Sequence, residues 1–421
     1  MNFARPKGTI LLLSQVYVPD PAAVGQYMAD AAREMASRGY RVVVLTARRG
    51  YEDPSARYPA RERLDGVEVV RVPLASFGKA SIARRLLGAA GFLAQVLWRG
   101  LWVRGLRGIV FTTSPPLAGM AALALGRLRR VPLTFWVMDV NPDQYVAMHP
   151  GEARSLKVRA LAALNRRALK ASAAVVALDD FMAERLRRRC PGIKRLEVMP
   201  PWPHEENLGP VTREANTFRT QHGLDGRLVV MYSGNHSPVN PLDTLLQAAL
   251  RFENDSRIAF LFVGGGAGKA AVDELVRTRR PTNILSLPYQ PLEGLGQSLS
   301  AADVHVVTLG DPYVGIVHPC KIYGAMSVAR PILYFGPRPS HVSEIVERER
   351  IGWCLAHGDV EGTEAVLRSI LTMDRGELDA MGQRAREAVR DGLSKEALCG
   401  RFGDVVEEAC GGGKESIVDR R

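Results

Sequence analysis

The sequence predicts an α/β protein made of two doubly wound parallel-sheet domains that face each other across a cleft. Short β-branched apolar runs alternate with longer amphipathic stretches along the whole chain, which is the pattern of strand–helix–strand units. The chain has 421 residues, more than a single ordinary hydrophobic core accommodates. Two such series in one chain therefore indicate two similar Rossmann-like domains.

Apolar runs bounded by polar or turn residues mark the predicted strands. In the first half they are 9–16, 41–46, 67–72, 109–113, 133–137, 174–178 and 196–199. In the second half they are 228–232, 258–263, 284–287, 304–308 and 331–335. Helical patterns such as 22–39 and 152–171 separate most of the early strands, so consecutive strands are expected to run parallel.

A proline-rich junction separates the two predicted domains. The segment 199–204 (MPPWPH) removes backbone donors and restricts φ, which ends regular structure. We expect the first domain at 1–205 and the second at 206–395. Residues 396–421 are expected to form a C-terminal helix and a frayed tail.

The positive charge belongs to the first half of the chain. Residues 1–205 hold 32 Lys/Arg and 16 Asp/Glu, a balance of +16, whereas the remaining residues hold 24 and 28, a balance of −4. A basic half fits a nucleic acid, an anionic membrane surface or an acidic substrate. No aromatic-rich basic motif or zinc-finger spacing is present, so no nucleic-acid partner is expected.

The cysteines indicate a reducing compartment. They are scattered, odd in number and without C-x-x-C or metal-ligand spacing: Cys190, Cys320, Cys354, Cys399 and Cys410. Such cysteines are typical of reduced cytoplasmic thiols. Cys320 is interpreted as a packing residue rather than a catalytic one. The first residues lead into a predicted strand without a signal-peptide pattern, so a cytoplasmic location is expected.

One apolar segment suggests contact with a membrane surface. The uncharged run 86–98 is too short to span a bilayer, and arginines flank it on both sides. Trp98 and Trp102 lie four residues apart, on one helical face. A helix lying on the inner face of the cell membrane fits this pattern, and so does a core helix beside a basic exposed face.

Small or glycine-containing loops follow four consecutive strands of the second predicted domain. Because ligands of doubly wound domains bind at the carboxyl ends of the strands, these loops are candidates for one site. The candidate residues are Ser233, Gly234, Asn235, Gly264, Gly265, Tyr289, Gln290, Gly315, Ile316 and Lys321. A glycine run alone is more often a turn, but four such loops together predict a nucleotide-diphosphate pocket.

The segment 310–326 (GDPYVGIVHPCKIYGAM) is the most informative of these loops. It follows a buried-strand pattern and leads into a predicted helix, whose N-terminal amides and dipole favour an anion. Lys321 adds a positive charge there that would favour the anion; the alternative is a lysine that is simply exposed to solvent. His318 is a candidate donor to a phosphate oxygen, with packing or capping as its alternative.

The first predicted domain offers fewer chemical groups. Gly25 and Gln26 end the loop after the first strand, where Gly25 permits either approach to a ligand or entry into a helix. Asp139 follows the fifth strand and is a candidate to orient an acceptor hydroxyl or take its proton, unless it only caps a turn. Asp179 and Asp180 are expected to cap the next helix.

Several familiar motifs are absent from the sequence. It lacks the G-x-G-x-x-G of dinucleotide folds, the G-x-S-x-G of hydrolases and any convincing metal-ligand spacing. No cofactor and no metal are therefore expected.

Almost the whole chain resembles the glycosyltransferases of the GT-B fold, specifically family 4. The resemblance runs from VYVPD-x-x-x-x-GQ through WVMDVNPDQ and YSGNHSPVNPLDTLL to HPCKIYGAM. It is similar to bacterial transferases of exopolysaccharide and O-antigen (lipopolysaccharide) assembly. The resemblance implies metal-independent, retaining transfer from a nucleotide sugar, most often a UDP-sugar, to a hydroxyl of a lipid-linked or polysaccharide acceptor. The C-terminal domain would hold the donor and the N-terminal domain the acceptor.

The chain departs from the family at the residues that hold the donor. Asn235 and Asn240 stand where many members carry the Arg and Lys that grip the diphosphate. Ile316 and Gly324 stand where many carry two glutamates, the second of which holds the ribose. Lys321 is the cation left in this loop, and we expect it to neutralise the diphosphate as the leaving group departs.

Two alternatives to sugar transfer stay open at this point. A nucleotide-sugar 2-epimerase shares the GT-B architecture, although it would need carboxylates around the sugar that we cannot assign. A non-catalytic GT-B scaffold that binds a nucleotide sugar or a partner would explain the absent glutamates. The transferase interpretation assigns catalytic roles to Asp139, His318 and Lys321.

Overall fold

The computed structural model describes residues 6–20, 22–50, 55–73, 82–115, 117–203 and 209–411, without the side chains of 82–89 and 292. The chain divides into two compact units. Unit 1 comprises Met1–Pro201, Gly315–Val317 and Glu396–Arg421, and unit 2 comprises Trp202–Val314 and His318–Lys395. The predicted frayed tail from residue 412 onward lies outside the described residues.

Unit 1 is built on an eight-stranded sheet. Its strands are β1 Thr9–Leu13, β2 Arg41–Ala47, β3 Arg61–Leu64, β4 Val67–Val72, β5 Leu106–Thr112, β6 Leu133–Trp136, β7 Ala174–Ala177 and β8 Leu196–Val198. Their order is β3-β4-β2-β1-β5-β6-β7-β8, and every pair is parallel except β3 with β4. The seven predicted strands are confirmed to within three residues at each end. Strand β3 was not predicted because its sequence, RERL, has no apolar run.

Six helices cover this sheet. They are α1 Ala23–Ser37, α2 Ile82–Leu101, α3 Ala118–Arg129, α4 Asp143–Met148, α5 Leu156–Ala171 and α6 Asp180–Arg189. The expected cap before α6 is confirmed, since the Asp179 carboxylate accepts a hydrogen bond from the Met182 amide at 2.7 Å. Such a cap satisfies one of the backbone donors left free at a helix start.

Helix α2 has two different faces. Phe92 and Val96 are buried, as a core helix requires, whereas Trp98 near the end of the helix and Trp102 directly after it are 66% and 69% exposed. The side chains of the basic residues at 84 and 85 lie outside the described residues. Among the helices that the structure describes, none is long and apolar enough to cross a bilayer.

The C-terminal helix α15, Lys395–Ala409, packs on unit 1. Phe402 is fully buried, and its ring lies 4.3 Å from the ring of Trp136 in β6. Arg38, just after α1, donates to the carboxylates of Asp404 at 2.7 Å and Glu407 at 2.8 Å. Helix α15 therefore contributes to the hydrophobic core of unit 1, most of which is built from residues before 202.

Unit 2 is built on a six-stranded, fully parallel sheet. Its strands are β9 Leu228–Ser233, β10 Ile258–Val263, β11 Ile284–Leu287, β12 Val304–Thr308, β13 Ile332–Phe335 and β14 Gly352–Leu355. Their order is β11-β10-β9-β12-β13-β14. The five predicted strands are confirmed to within one residue. Strand β14 was not predicted, because a four-residue run that begins with glycine is typical of a loop.

Helices cover both faces of the second sheet. They are α7 Thr217–Gln221, α8 Asp243–Leu250, α9 Lys269–Arg279, α10 Leu295–Ser300, α11 Lys321–Ser327, α12 His341–Glu349, α13 Val360–Thr372 and α14 Arg375–Gly392. Alternate residues of one strand enter different clusters: Val230 and Tyr232 join one apolar core, and Val229 and Met231 join the other. Successive strand residues point to opposite faces, so both faces are buried. The predicted fold class, α/β with doubly wound sheets, is confirmed.

Candidate active site

In unit 2, glycines bring two strand-end loops and helix α11 into close contact. Gly234 follows β9 with φ of +133°, and a Cβ there would overlap the Cε of Lys321. Gly264 follows β10 with φ of +129°, and a Cβ there would overlap the carbonyl oxygen of Gly234. Both positions need glycine for their backbone angle and for the space. The structure thus brings together three of the predicted donor-binding residues.

Lys321 is the positive charge at this meeting point. Its Nζ donates to the carbonyl oxygen of Asn235 at 3.3 Å and lies 5.0 Å from the centre of the Tyr232 ring. The Asn240 amide, with its oxygen toward the lysine, accepts from Nζ at 3.3 Å and donates to the Thr308 carbonyl at 2.9 Å. Burial lowers the Lys321 pKa to about 8. No carboxylate of the described residues pairs with this ammonium.

The two asparagines explain how a single cation is accommodated. Asn235 and Asn240 both offer an oxygen to Lys321. Cationic side chains at these two positions would repel the ammonium, since like charges close together in a desolvated site are unfavourable. Neutral side chains at positions 235 and 240 are therefore compatible with the Lys321 ammonium beside them.

His236 is a residue of this site that the sequence analysis did not single out. It is fully buried, its Nδ1 lies 3.0 Å from the Gly234 carbonyl, and its backbone amide donates to Gly265 at 2.7 Å. Burial, together with the charges of Lys269 and Lys321, lowers its pKa to about 4. The His236 backbone therefore ties the β9 loop to the β10 loop, while its neutral imidazole adds no charge. Its position directly after Gly234 and Asn235 was the only signal in the sequence.

The loop after β11 also reaches the glycines. The Tyr289 ring is packed so closely over Gly265 that a Cβ there would lie 2.9 Å from a ring carbon. Tyr289 is half exposed, which leaves ring surface open to solvent. Gln290 donates to the Pro288 carbonyl of its own turn at 2.9 Å. Ser233 is the last residue of β9 and pairs with Val263.

His318 is engaged in a buried hydrogen-bonded chain. Its Nε2 lies 2.8 Å from the Tyr323 hydroxyl, and that hydroxyl lies 2.9 Å from Nε2 of His341. The Cys320 thiol donates to the His318 carbonyl at 3.4 Å, a structural contact. These contacts fit the packing alternative for His318, and its role toward a phosphate stays a prediction.

Gly315 and Ile316 belong to unit 1, a grouping that the sequence did not reveal. Val317 forms a β-bridge with Asp139, and the Val140 amide donates to the Ile316 carbonyl at 2.9 Å. Ile316 is buried. These two predicted donor-binding residues therefore lie beside the predicted acceptor-side aspartate.

Asp139 lies after β6 at the carboxyl edge of the first sheet. Its backbone amide donates to the Thr113 hydroxyl at 3.3 Å. Burial raises the pKa of its carboxyl to about 6. No cation of the described residues pairs with it, so a carboxyl group that titrates near neutrality is held at the edge where ligands of such sheets bind.

The predicted loop after β1 lies at the same edge of the sheet. Gly25 is in the first turn of α1, and a Cβ there would lie 3.1 Å from the Tyr17 backbone. The Gln26 amide donates to the Ala22 carbonyl at 3.4 Å. Close packing of the loop on the helix accounts for Gly25 without a ligand, and its role toward an acceptor stays a prediction.

Two doubly wound units of this kind define the GT-B fold of glycosyltransferases, and solved structures agree. Sucrose-phosphate synthase from Thermosynechococcus elongatus superimposes with a TM-score of 0.76 at 18% identity, over 96% of this chain and 99% of that one. HepE from Anabaena, solved in complex with UDP-glucose, gives a TM-score of 0.69 at 14% identity, over 95% and 100%.

Sequence comparison identifies the family. Residues 22–202 match the glycosyl transferase 4-like domain. WcaI of Escherichia coli (strain K12), named as a colanic acid biosynthesis glycosyl transferase, is 24% identical over 93% of this chain and 98% of its own. WbjE of Pseudomonas aeruginosa, named as a glycosyltransferase, is 25% identical over 64% and 68%. Residues 22–202 therefore belong to the glycosyl transferase 4-like family, as the motifs of the chain implied.

Proposed function

We propose that this glycosyltransferase moves a sugar, with retention of configuration, from a nucleotide diphosphate sugar to a hydroxyl of a lipid-linked or polysaccharide acceptor in cell-surface glycan synthesis. A hexose or an N-acetylhexosamine on UDP is the proposed donor. The observation that carries the proposal is the ammonium of Lys321, desolvated and without a carboxylate partner among the described residues, where three backbone segments meet. The name of WcaI supports the surface-polysaccharide role, and the UDP-glucose complex of HepE supports the donor.

The donor is proposed to bind unit 2. The glycines at 234, 264 and 265 let the loops after β9, β10 and β11 pack closely beside Lys321, and Lys321 supplies the charge that opposes a diphosphate. The half-exposed Tyr289 ring offers a surface for the base. His318 is proposed to hold a phosphate oxygen, and Gly315 and Ile316 to complete the donor site.

The acceptor is proposed to bind unit 1, at the loop with Gly25 and Gln26 and at Asp139. In a retaining transfer without a covalent intermediate, the leaving phosphate accepts the proton of the acceptor hydroxyl as the new glycosidic bond forms. Asp139 orients that hydroxyl or relays its proton. Lys321 stabilises the negative charge that grows on the diphosphate.

Slow hydrolysis of candidate donors tests the proposed reaction class. The purified chain is incubated with UDP- and GDP-sugars, and the products are separated and identified. Release of free sugar supports transfer chemistry. An altered sugar still attached to its nucleotide would identify an epimerase, and tight binding without turnover would identify a scaffold. Either of the last two outcomes overturns the proposal.

The pKa of Asp139 predicts how the reaction depends on pH. The carboxylate is the active form, so kcat/KM should fall about tenfold per pH unit below pH 6 and level off above it. Asp139→Asn should lower kcat/KM and abolish this acidic limb. The exposed Asp180 lies at the same sheet edge, and Asp180→Asn is the matched control that should keep the limb. An acidic limb that persists in Asp139→Asn would remove Asp139 from the mechanism.

We also propose that the enzyme works while attached peripherally to the inner face of the cell membrane. The net charge of +16 in residues 1–205 supports this, because basic surfaces are attracted to anionic lipids. A lipid-linked acceptor would be reached from such a position.

A further inference from the structure

A cavity of about 540 Å³ lies in unit 1, away from the residues proposed for catalysis. This cavity is partly open to solvent and is lined by strands β2, β3 and β4 and by the C-terminal end of α2 and the residues after it. Its charged and aromatic lining residues are Arg41, Arg61, Glu68, Trp98, Arg99, Trp102 and Arg104. Arg41 is the first residue of β2, whereas Gly25 and Asp139 follow the carboxyl ends of their strands. The lining of the cavity therefore includes the amino end of β2, and no residue proposed for catalysis or for the acceptor lines it.

The cavity carries a surplus of positive charge. Arg41 is paired with Glu68 at 2.5 Å. Within the described part of the chain, no carboxylate forms an ion pair with Arg61, Arg99 or Arg104. Three guanidinium groups therefore share a concave site with one neutralised pair. Guanidinium groups are the preferred partners of phosphate oxygens, which they bind through two parallel hydrogen bonds.

Two exposed tryptophans stand at the rim of this cavity. The rings of Trp98 and Trp102 lie 5.8 Å apart in an edge-to-face arrangement, and each is about two-thirds exposed. Large aromatic side chains seldom remain so exposed on a surface with no partner. Tryptophan is enriched where an apolar phase meets water, since its ring is apolar and its N–H is polar.

The tryptophans are presented on a rigid support. Phe92 and Val96 anchor α2 in the core. Arg129 of α3 caps the end of α2 by donating to the carbonyls of Leu101 at 2.5 Å and Val103 at 2.9 Å. The helix end is therefore held in place with its aromatic face uncovered.

We propose that this cavity binds the phosphate-bearing headgroup of an anionic bilayer lipid, with Trp98 and Trp102 inserted among the lipids around it. The inference deepens the proposed membrane attachment by giving it a site. A bilayer explains the exposed aromatic pair and the guanidinium groups together. Single-stranded nucleic acid also combines aromatic rings with arginines, but it stacks on open ring faces. An edge-to-face pair with an interplanar angle of 69° presents no common stacking platform.

Vesicle flotation of the full chain tests the site. Vesicles of phosphatidylcholine alone are compared with vesicles that also contain phosphatidylglycerol, at low and high salt. We expect binding to the anionic vesicles that weakens with salt. The triple variant Arg61→Gln/Arg99→Gln/Arg104→Gln should lower the partition coefficient by roughly fivefold per arginine, about a hundredfold in all. Trp98→Ala/Trp102→Ala should lower it by at least about tenfold and reduce the change in tryptophan emission on binding.

Matched controls separate a site from general charge. Arg154→Gln/Arg159→Gln/Arg187→Gln removes three charges from exposed positions of unit 1 that do not line the cavity, and Leu156→Ala removes an apolar side chain that is 80% exposed. Both should bind vesicles almost as well as the unmodified chain. Equal losses in the control triple variant and the cavity triple variant would overturn the site. Tighter binding to a single-stranded oligonucleotide than to anionic vesicles would overturn the choice of lipid.

Donor hydrolysis, measured in parallel, keeps this inference distinct from the proposed function. The cavity variants should hydrolyse the nucleotide sugar at the unmodified rate, because the cavity is not part of the proposed catalytic machinery. Lost vesicle binding with retained hydrolysis supports the lipid site. Absent hydrolysis in the unmodified chain would count against the proposed transferase chemistry and leave the vesicle result standing.

Discussion

Replacing Lys321 with alanine is expected to lower kcat by about two to three orders of magnitude while leaving the fold intact. That range is the usual cost of removing one charge-stabilising donor from a preorganised site. Three features support a large effect here. The lysine is partly buried, its hydrogen-bond partners are neutral acceptors, and no carboxylate of the described residues competes for it. Single-turnover measurement of donor cleavage reports the chemical step.

Two comparisons make the Lys321 experiment decisive. Lys321→Arg should restore little of the rate, because Gly234 packs against the lysine stem and a planar guanidinium group carries its charge in a different position from a compact ammonium. Cys320→Ala, one residue away, should be nearly neutral, since the thiol donates to the His318 carbonyl, a structural contact. A Lys321→Ala variant with unchanged kcat and unchanged circular dichroism would exclude this lysine from catalysis.

The pKa of Lys321 adds a second signature. A value of about 8 means that the charged form is lost as the pH rises through 8, so kcat/KM should decline above that pH. The active carboxylate of Asp139 forms as the pH rises through 6, and the active ammonium of Lys321 is lost as the pH rises through 8. The plot of kcat/KM against pH should therefore be bell-shaped. The alkaline limb belongs to Lys321 and should disappear in Lys321→Ala.

The sequence predicted those site residues whose position follows from the local strand and loop pattern. Glycines after β9 and β10 must lie close together because neighbouring parallel strands end at one edge, and Lys321 begins the helix after β12. The pairing of residues 315–317 with Asp139 and Val140 was not predictable, since it joins segments far apart in the chain. His236 was overlooked because a buried histidine that bridges two loops has no distinctive spacing.

The fold was predictable for a similar reason. Apolar runs identified the buried strands of both sheets, whereas β3 and β14 are short edge strands that lack such runs. The sequence placed residues 396–421 in a helix and a tail but did not reveal where that helix packs. The contact between Phe402 and Trp136 is a long-range packing event, which helical periodicity alone does not reveal.

Phe402→Ala is expected to destabilise unit 1 by about 3–5 kcal/mol, the usual cost of truncating a buried aromatic side chain. The ring is fully buried against Trp136, so its removal leaves a cavity between α15 and the sheet. For a unit of this size, the loss corresponds to a melting transition lowered by roughly 10 °C. Differential scanning calorimetry of the full chain measures it.

Two variants show whether the loss comes from this contact. Phe402→Leu keeps most of the volume and should cost less than about 1.5 kcal/mol. Phe252→Ala removes a buried ring from the core of unit 2. The melting transition that this variant lowers is therefore that of unit 2, which distinguishes it from the transition of unit 1. Because Trp136 lies beside Phe402, the change should also alter tryptophan fluorescence before unfolding. A Phe402→Ala variant that melts within a degree of the unmodified chain would mean that α15 does not stabilise the core of unit 1. The ion pairs of Arg38 with Asp404 and Glu407 would then be surface pairs that contribute little to stability.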